Sequence, residues 1–112
     1  MAEEGLERAL FSQAFPGAAT LFEHSDMNVR EGKTLKRPNG QVSSVFSITV
    51  SEPQLNLGRP TLIPTIYDGK EVSQQEAIRR AIKSKKTFPK FQTFEQADGI
   101  AGEISKIMGA GG

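Results

Sequence analysis

Between Leu62 and Phe94 the chain carries its densest run of local structure signals, and any fold must honour their order. An apolar run (Leu62, Ile63, Ile66, Tyr67) stops at Asp68-Gly69, a pair that favours a two-residue hairpin turn because glycine accepts positive φ. After a short strand-like return, Ser73 and Glu76 stand three apart. That spacing predicts a capping box, in which each side chain satisfies a backbone N–H left over at a helix start. Val72 before the cap and Ala77 after it form a small hydrophobic staple. The helix predicted over 74–86 has a narrow apolar stripe of Ala77, Ile78, Ala81 and Ile82. Its last turn, Lys83-Ser84-Lys85-Lys86, sets cations against the negative end of the helix dipole. Phe88-Pro89-Lys90-Phe91 follows, then a second cap at Thr93 with Gln96. A helix from about Phe94 to Met108 repeats apolar residues at three- and four-residue spacings (Ala97, Ile100, Ala101, Ile104, Ile107, Met108). Gly99 and Gly102 each cost that helix about 1 kcal/mol relative to alanine, which a closely packed second backbone would explain.

Upstream, Arg37-Pro38-Asn39-Gly40 is a strong turn signal. A strand is expected over Val42–Val50, with Val42, Ser44, Phe46, Ile48 and Val50 on one face. Ser51-Glu52-Pro53 stops it, and 54–60 is a loop to an antiparallel neighbour. Pro64 cannot donate to a ladder, so the next strand lies at an edge or is bulged there. The expected fold is α+β: a small antiparallel sheet of about three strands packed against two C-terminal helices, with an N-terminal arm. The parts are a partly helical arm (1–30), the small α+β domain (31–108) and a flexible Gly-rich tail (109–112). In the arm, Leu6, Ala9, Leu10 and Phe11 fit one face of a short helix, Phe15-Pro16-Gly17 breaks it, and 18–22 allows a turn or two more. Leu6, Leu10, Phe11, Phe15 and Phe22 then have two possible destinations. They lie back on the domain's own core, or they bind a neighbouring subunit. The second is the expectation, because 31–108 has its own sheet and two amphipathic helices.

At 112 residues the chain is one domain, and 37% hydrophobic content implies a small core. A net charge of +1 points to no class of partner. Absence of cysteine excludes disulfides and thiolate chemistry. No apolar run approaches the roughly 20 residues of a membrane span, and the acidic start lacks the basic region of a secretory signal, so synthesis in the cytoplasm is expected. The single histidine, His24, lies near Glu23 and Asp26, without the spaced ligands of a metal site, and reads as a solvated loop residue. Asp68 with Glu71 or Glu76 could form a carboxylate pair, but Asp68 is needed for the turn and Glu76 for the cap. No nucleophile elbow, Walker loop or dinucleotide fingerprint occurs, so neither an enzyme nor a cofactor is expected. One electrostatic feature has substance: Arg79, Arg80, Lys83, Lys85, Lys86 and Lys90 follow one another without an acid between them, and Phe88 and Phe91 interleave. Basic residues with aromatics can bind single-stranded nucleic acid. The competing reading is a solvated or partner-facing basic surface with two core phenylalanines, and it is favoured.

The order of motifs from Arg37 onward resembles a small domain of tailed-bacteriophage structural and virion-associated proteins. The resemblance rests on Pro38-Asn39-Gly40, Val42-Ser43-Ser44-Val45, Leu62-Ile63-Pro64-Thr65, Asp68-Gly69-Lys70, Ser73 with Glu76-Ala77, and Phe91-Gln92-Thr93 with Ala97. It covers about two-thirds of the chain and leaves out residues 1–30. Lys85 stands where many relatives have glycine, and the last helix lacks their Tyr-Ala and His. The resemblance implies a head- or tail-associated virion component made in the host cytoplasm. Its partners would be other virion proteins or further copies of itself, with no membrane, no cofactor and no reaction. The alternative is a nucleic-acid-binding accessory protein using the cluster 79–90.

Overall fold

The turn at Asp68-Gly69 forms as its residues require, with φ of 53° and 77° at the two central positions. It joins β5 (Ile66–Tyr67) to β6 (Lys70–Glu71), with Tyr67 opposite Lys70. The computed structural model describes residues 2–36, 38, 40, 42–43 and 46–107. Among these, α1 (Ala2–Ala14) and α2 (Ala18–Arg30) come first. β1 (Leu35–Lys36), β2 (Val42–Ser43), β3 (Ser47–Val50) and β4 (Thr61–Pro64) follow. After the β5–β6 hairpin come α3 (Gln74–Ser84) and α4 (Phe94–Ile107). The architecture is α+β, as expected, with antiparallel pairing and two C-terminal helices. The strands form three two-stranded ladders, β1–β2, β3–β4 and β5–β6.

The caps obey local chemistry. Ser73 Oγ accepts from the Glu76 N–H at 3.2 Å, and Thr93 Oγ1 accepts from the Gln96 N–H at 3.1 Å. Gln96 completes the second cap by accepting from the Gln92 N–H at 3.0 Å. Glu76 does something else with its carboxylate, which takes Arg79 and Arg80. α3 ends two residues earlier than the helix expected over 74–86, because Lys85 turns left-handed with φ 57° and its N–H returns to the Ile82 carbonyl at 3.3 Å. Glycine is the residue best suited to that position.

Pro64 ends the β3–β4 ladder, in which Ser47 faces Pro64 and Val50 faces Thr61. The next residue, Thr65, sends its N–H to the Phe46 carbonyl at 2.8 Å, and Ile66 opens a separate ladder. The long strand expected over 42–50 is likewise two strands. Ser44 and Val45 lie outside the described residues. Phe46 is 43% exposed, whereas Ile48 is partly buried against the core and Val50 is buried. All four residues of β4 are buried, a pattern that requires cover on both faces. α3 packs on β4, α4 on β3, and α2 also meets β4. The segment 88–91 closes the free edge of β4, with Leu62 N–H donating to the Pro89 carbonyl (3.1 Å) and Phe91 N–H to the Pro60 carbonyl (2.8 Å).

The N-terminal residues complete this core, which corrects the docking-arm expectation. Ala18, Leu21 and Phe22 belong to the same buried cluster as Leu62, Ile63, Ala77, Phe88, Phe91 and Ile104. Phe11 and Phe15 pack against it. The Phe11 ring lies 4.9 Å from Phe15 and 6.0 Å from Phe22, and Phe15 lies 6.0 Å from Phe91. The physical reason is area: the 31–108 segment leaves apolar surface that these rings cover, and each large side chain so buried contributes roughly 1.5–3 kcal/mol. Leu10 is 56% exposed, and the Leu6 side chain lies outside the described residues. Helix α2 runs 13 residues instead of a turn or two, since Leu21, Phe22, Ser25 and Asn28 all lie on its buried face. Met108 and the 109–112 tail lie outside the described residues.

Candidate binding groove beside Tyr67

His24 is the residue most displaced from its sequence reading. It sits in α2 rather than a loop, and it is half-buried against the β5–β6 hairpin. Nε2 lies 2.7 Å from the Ile66 carbonyl. A carbonyl only accepts, so Nε2 carries the proton. Asn28 Nδ2 donates to the same oxygen at 3.1 Å. The His24 ring meets Tyr67 edge-on, with centroids 4.7 Å apart. Burial pushes the imidazole pKa below its ordinary 6.5, against the raising effect of the Ile66 hydrogen bond, and the positive charge of Lys86 pushes the same way as burial. Among the described residues no group of His, Asp and Glu is placed to hold a metal ion.

The other side of Tyr67 carries Arg80, whose guanidinium carbon stands 4.5 Å from the ring centroid. Arg80 is anchored by Glu76, its Nε donating to Oε2 at 2.7 Å, and Arg79 donates to both carboxylate oxygens. Those two arginines hold the Glu76 carboxyl at about 2. Asp68 is engaged as well, 3.3 Å from Lys33 Nζ. Of the carboxylates considered for acid–base chemistry, Asp68 and Glu76 are therefore occupied by cations.

Of the six basic residues, Arg79, Arg80 and Lys83 converge on one concavity of about 450 Å³ with Tyr67 and Ser84. Lys86 lines an adjoining hollow of about 150 Å³ that also includes His24, Met27, Tyr67 and Arg80. Lys85 faces a different hollow, near Asn56 and Ile82. Lys90 is exposed on the strip beside β4, bridged to Thr61. Phe88 and Phe91, the aromatics that interleave the cluster, are 4% and 3% exposed and plug the core.

A second surface feature gave no sequence signal. Asn56, Leu57 and Gly58 are consecutive residues at φ 52°, 58° and 85°. Leu57 is 93% exposed. The loop around it is pinned: Leu55 is buried, Asn56 Nδ2 donates to Thr61 Oγ1 (3.0 Å) and to the Phe88 carbonyl (3.3 Å), and Ser51 Oγ donates to the Gly58 carbonyl at 2.6 Å. Asn and Gly suit left-handed positions, but nothing in a lone leucine announces one. No described helix is long and apolar enough to cross a membrane. Compared with protein-family models, with curated proteins and with solved structures, the chain finds no match.

Proposed function

We propose that the chain is a structural component of a bacteriophage virion, head- or tail-associated, that acts by protein–protein contact without catalysis. Leu57 carries the contact part of this reading. A left-handed backbone costs a leucine on the order of 1 kcal/mol, and here that conformation is held by buried Leu55 and by side-chain hydrogen bonds while its side chain touches solvent. Folding gains nothing from that arrangement. A rigid, pre-formed apolar knob does suit docking, because little ordering entropy remains to be lost on binding. The virion part rests on the ordered resemblance from Pro38 to Ala97, supported by its motifs meeting in one unit: the turn, the buried strand, the cap and the packed Ala77.

The test is mass spectrometry of gradient-purified particles from a lysate of cells carrying the gene. The wild-type chain is expected with the particles. A Leu57→Asp chain, whose melting temperature is checked first, is expected to stay in the soluble fraction. Wild-type chain found only outside the particles overturns the virion reading, and a particle-bound Leu57→Asp chain overturns the knob.

The nucleic-acid reading has exposed Lys83, Lys85, Lys86 and Lys90 in its favour. Within the basic cluster the described residues offer it no free stacking surface, since Phe88 and Phe91 are buried and the Tyr67 ring is occupied by Arg80 and His24.

A further inference from the structure

The two hollows beside Tyr67 share Tyr67, Arg80 and Ser84 in their linings and so adjoin as neighbouring parts of one surface groove. Four cations, Arg79, Arg80, Lys83 and Lys86, line it, and no carboxylate does among the described residues. Glu76 holds the two arginines without lining either hollow. We propose that this groove binds an acidic, extended segment of a partner protein, a proposal that rests on the protein–protein reading above.

Three observations carry it. The first is charge: four cations face a cleft whose other polar lining is hydroxyl, phenol and imidazole, so the complementary ligand is anionic. The second is preorganisation. Arg80 is clamped between Glu76 and the Tyr67 ring, so a carboxylate meets a guanidinium already held in place. The third is spacing. Arg79 and Lys83 stand about one helical turn apart on α3, an advance of about 5.4 Å, and Lys86 follows just past the left-handed end of the helix. Alternate side chains of an extended strand lie about 6.7 Å apart, close enough for flexible lysines to follow successive carboxylates. Nucleic acid is less well served, because the groove offers no free aromatic face on which a base could stack.

The experiment is fluorescence anisotropy of a labelled hexaglutamate peptide titrated with the full chain, in low and physiological salt. Saturable binding is expected. Lys83→Glu with Lys86→Glu is expected to weaken it at least tenfold, and the milder Lys83→Ala with Lys86→Ala at least threefold. Lys36→Glu with Lys106→Glu, exposed cations that do not line the groove, should change it less than twofold. Thermal melts of each variant establish that it is folded, and the alanine pair keeps the comparison intact if charge reversal unfolds the chain. No saturable binding, or equal loss from both lysine pairs, overturns the proposal. An oligothymidylate that binds more tightly than the peptide through the same two lysines overturns it in favour of nucleic acid. The assay needs no particle: a chain that binds the peptide but never enters particles refutes only the virion reading, and one that enters particles but ignores the peptide refutes only the groove.

Discussion

Among the described glycines, Gly17 is the one where an added side chain would collide with backbone. It sits at φ 98°, and a Cβ there would stand 2.5 Å from the Phe88 carbonyl carbon and 2.7 Å from the Pro89 nitrogen. The obstacle is backbone, which cannot swing aside. Gly17→Ala is expected to destabilise by about 3 kcal/mol or more, combining overpacking with a left-handed alanine. Gly99 and Gly102 are the opposite case. A close neighbouring backbone would have explained them, yet nothing lies within 4 Å of either added Cβ. Gly99→Ala and Gly102→Ala are each expected to stabilise by about 0.5–1 kcal/mol through helix propensity alone. Urea melts of the three variants separate these outcomes by sign. His24 supplies a titration. Burial lowers its folded-state pKa below 6.5, so between that lowered value and 6.5 the unfolded chain takes up a proton that the folded chain refuses. The associated stability is full above pH 6.5 and is lost as pH falls through that window. Melts between pH 7.5 and 5 should show the loss in wild type and a flatter profile in His24→Gln, which retains an N–H donor for the Ile66 carbonyl.

At the scale of elements, the legible parts are those whose causes are local. The Asp68-Gly69 turn and the Thr93 cap involve residues within a few positions of each other and form as their sequence implies, and at Ser73 the serine half of the capping box forms while the Glu76 carboxylate goes to Arg79 and Arg80. Both C-terminal helices follow from their apolar spacing. Helix α2 was only partly legible, because its buried face includes Ser25 and Asn28, whose burial depends on partners far along the chain: Asn28 answers the Ile66 carbonyl 38 residues on. Strand β1 is two residues long, too short to show any period. In the groove, the cationic half was readable as a run of charges. The half supplied by His24 and Tyr67 was not, since 42 residues separate His24 from the carbonyl that orients it. The left-handed state of Leu57 is set by anchors to Ser51, Thr61 and Phe88 and had no local signature.

For the whole molecule, the consequence of the shared core is that residues 1–30 are a structural requirement. Phe22→Ala is expected to cost about 3–5 kcal/mol, a large part of the stability of a domain of this size. Deleting 1–30 is expected to give a chain that shows no cooperative thermal transition by circular dichroism. A truncated chain that melts cooperatively near the wild-type temperature would overturn the assignment of Ala18, Leu21 and Phe22 to the core.

The contact between Gly17 and Phe88 also sets a timetable. The N-terminal helices leave the ribosome first, but the surface they must meet is encoded some 70 residues later, and Phe15 waits still longer for Phe91. During that interval Leu21 and Phe22 have no finished core to enter, so the nascent chain presents apolar surface to whatever binds it first. Closure becomes possible only once the Phe88–Phe91 segment has emerged, and the distant pairing makes it slower than the local assembly of the β5–β6 hairpin and α3. The soluble yield of this chain is therefore expected to rise when translation is slowed or chaperones are co-expressed, and to be read from the soluble fraction of the lysate.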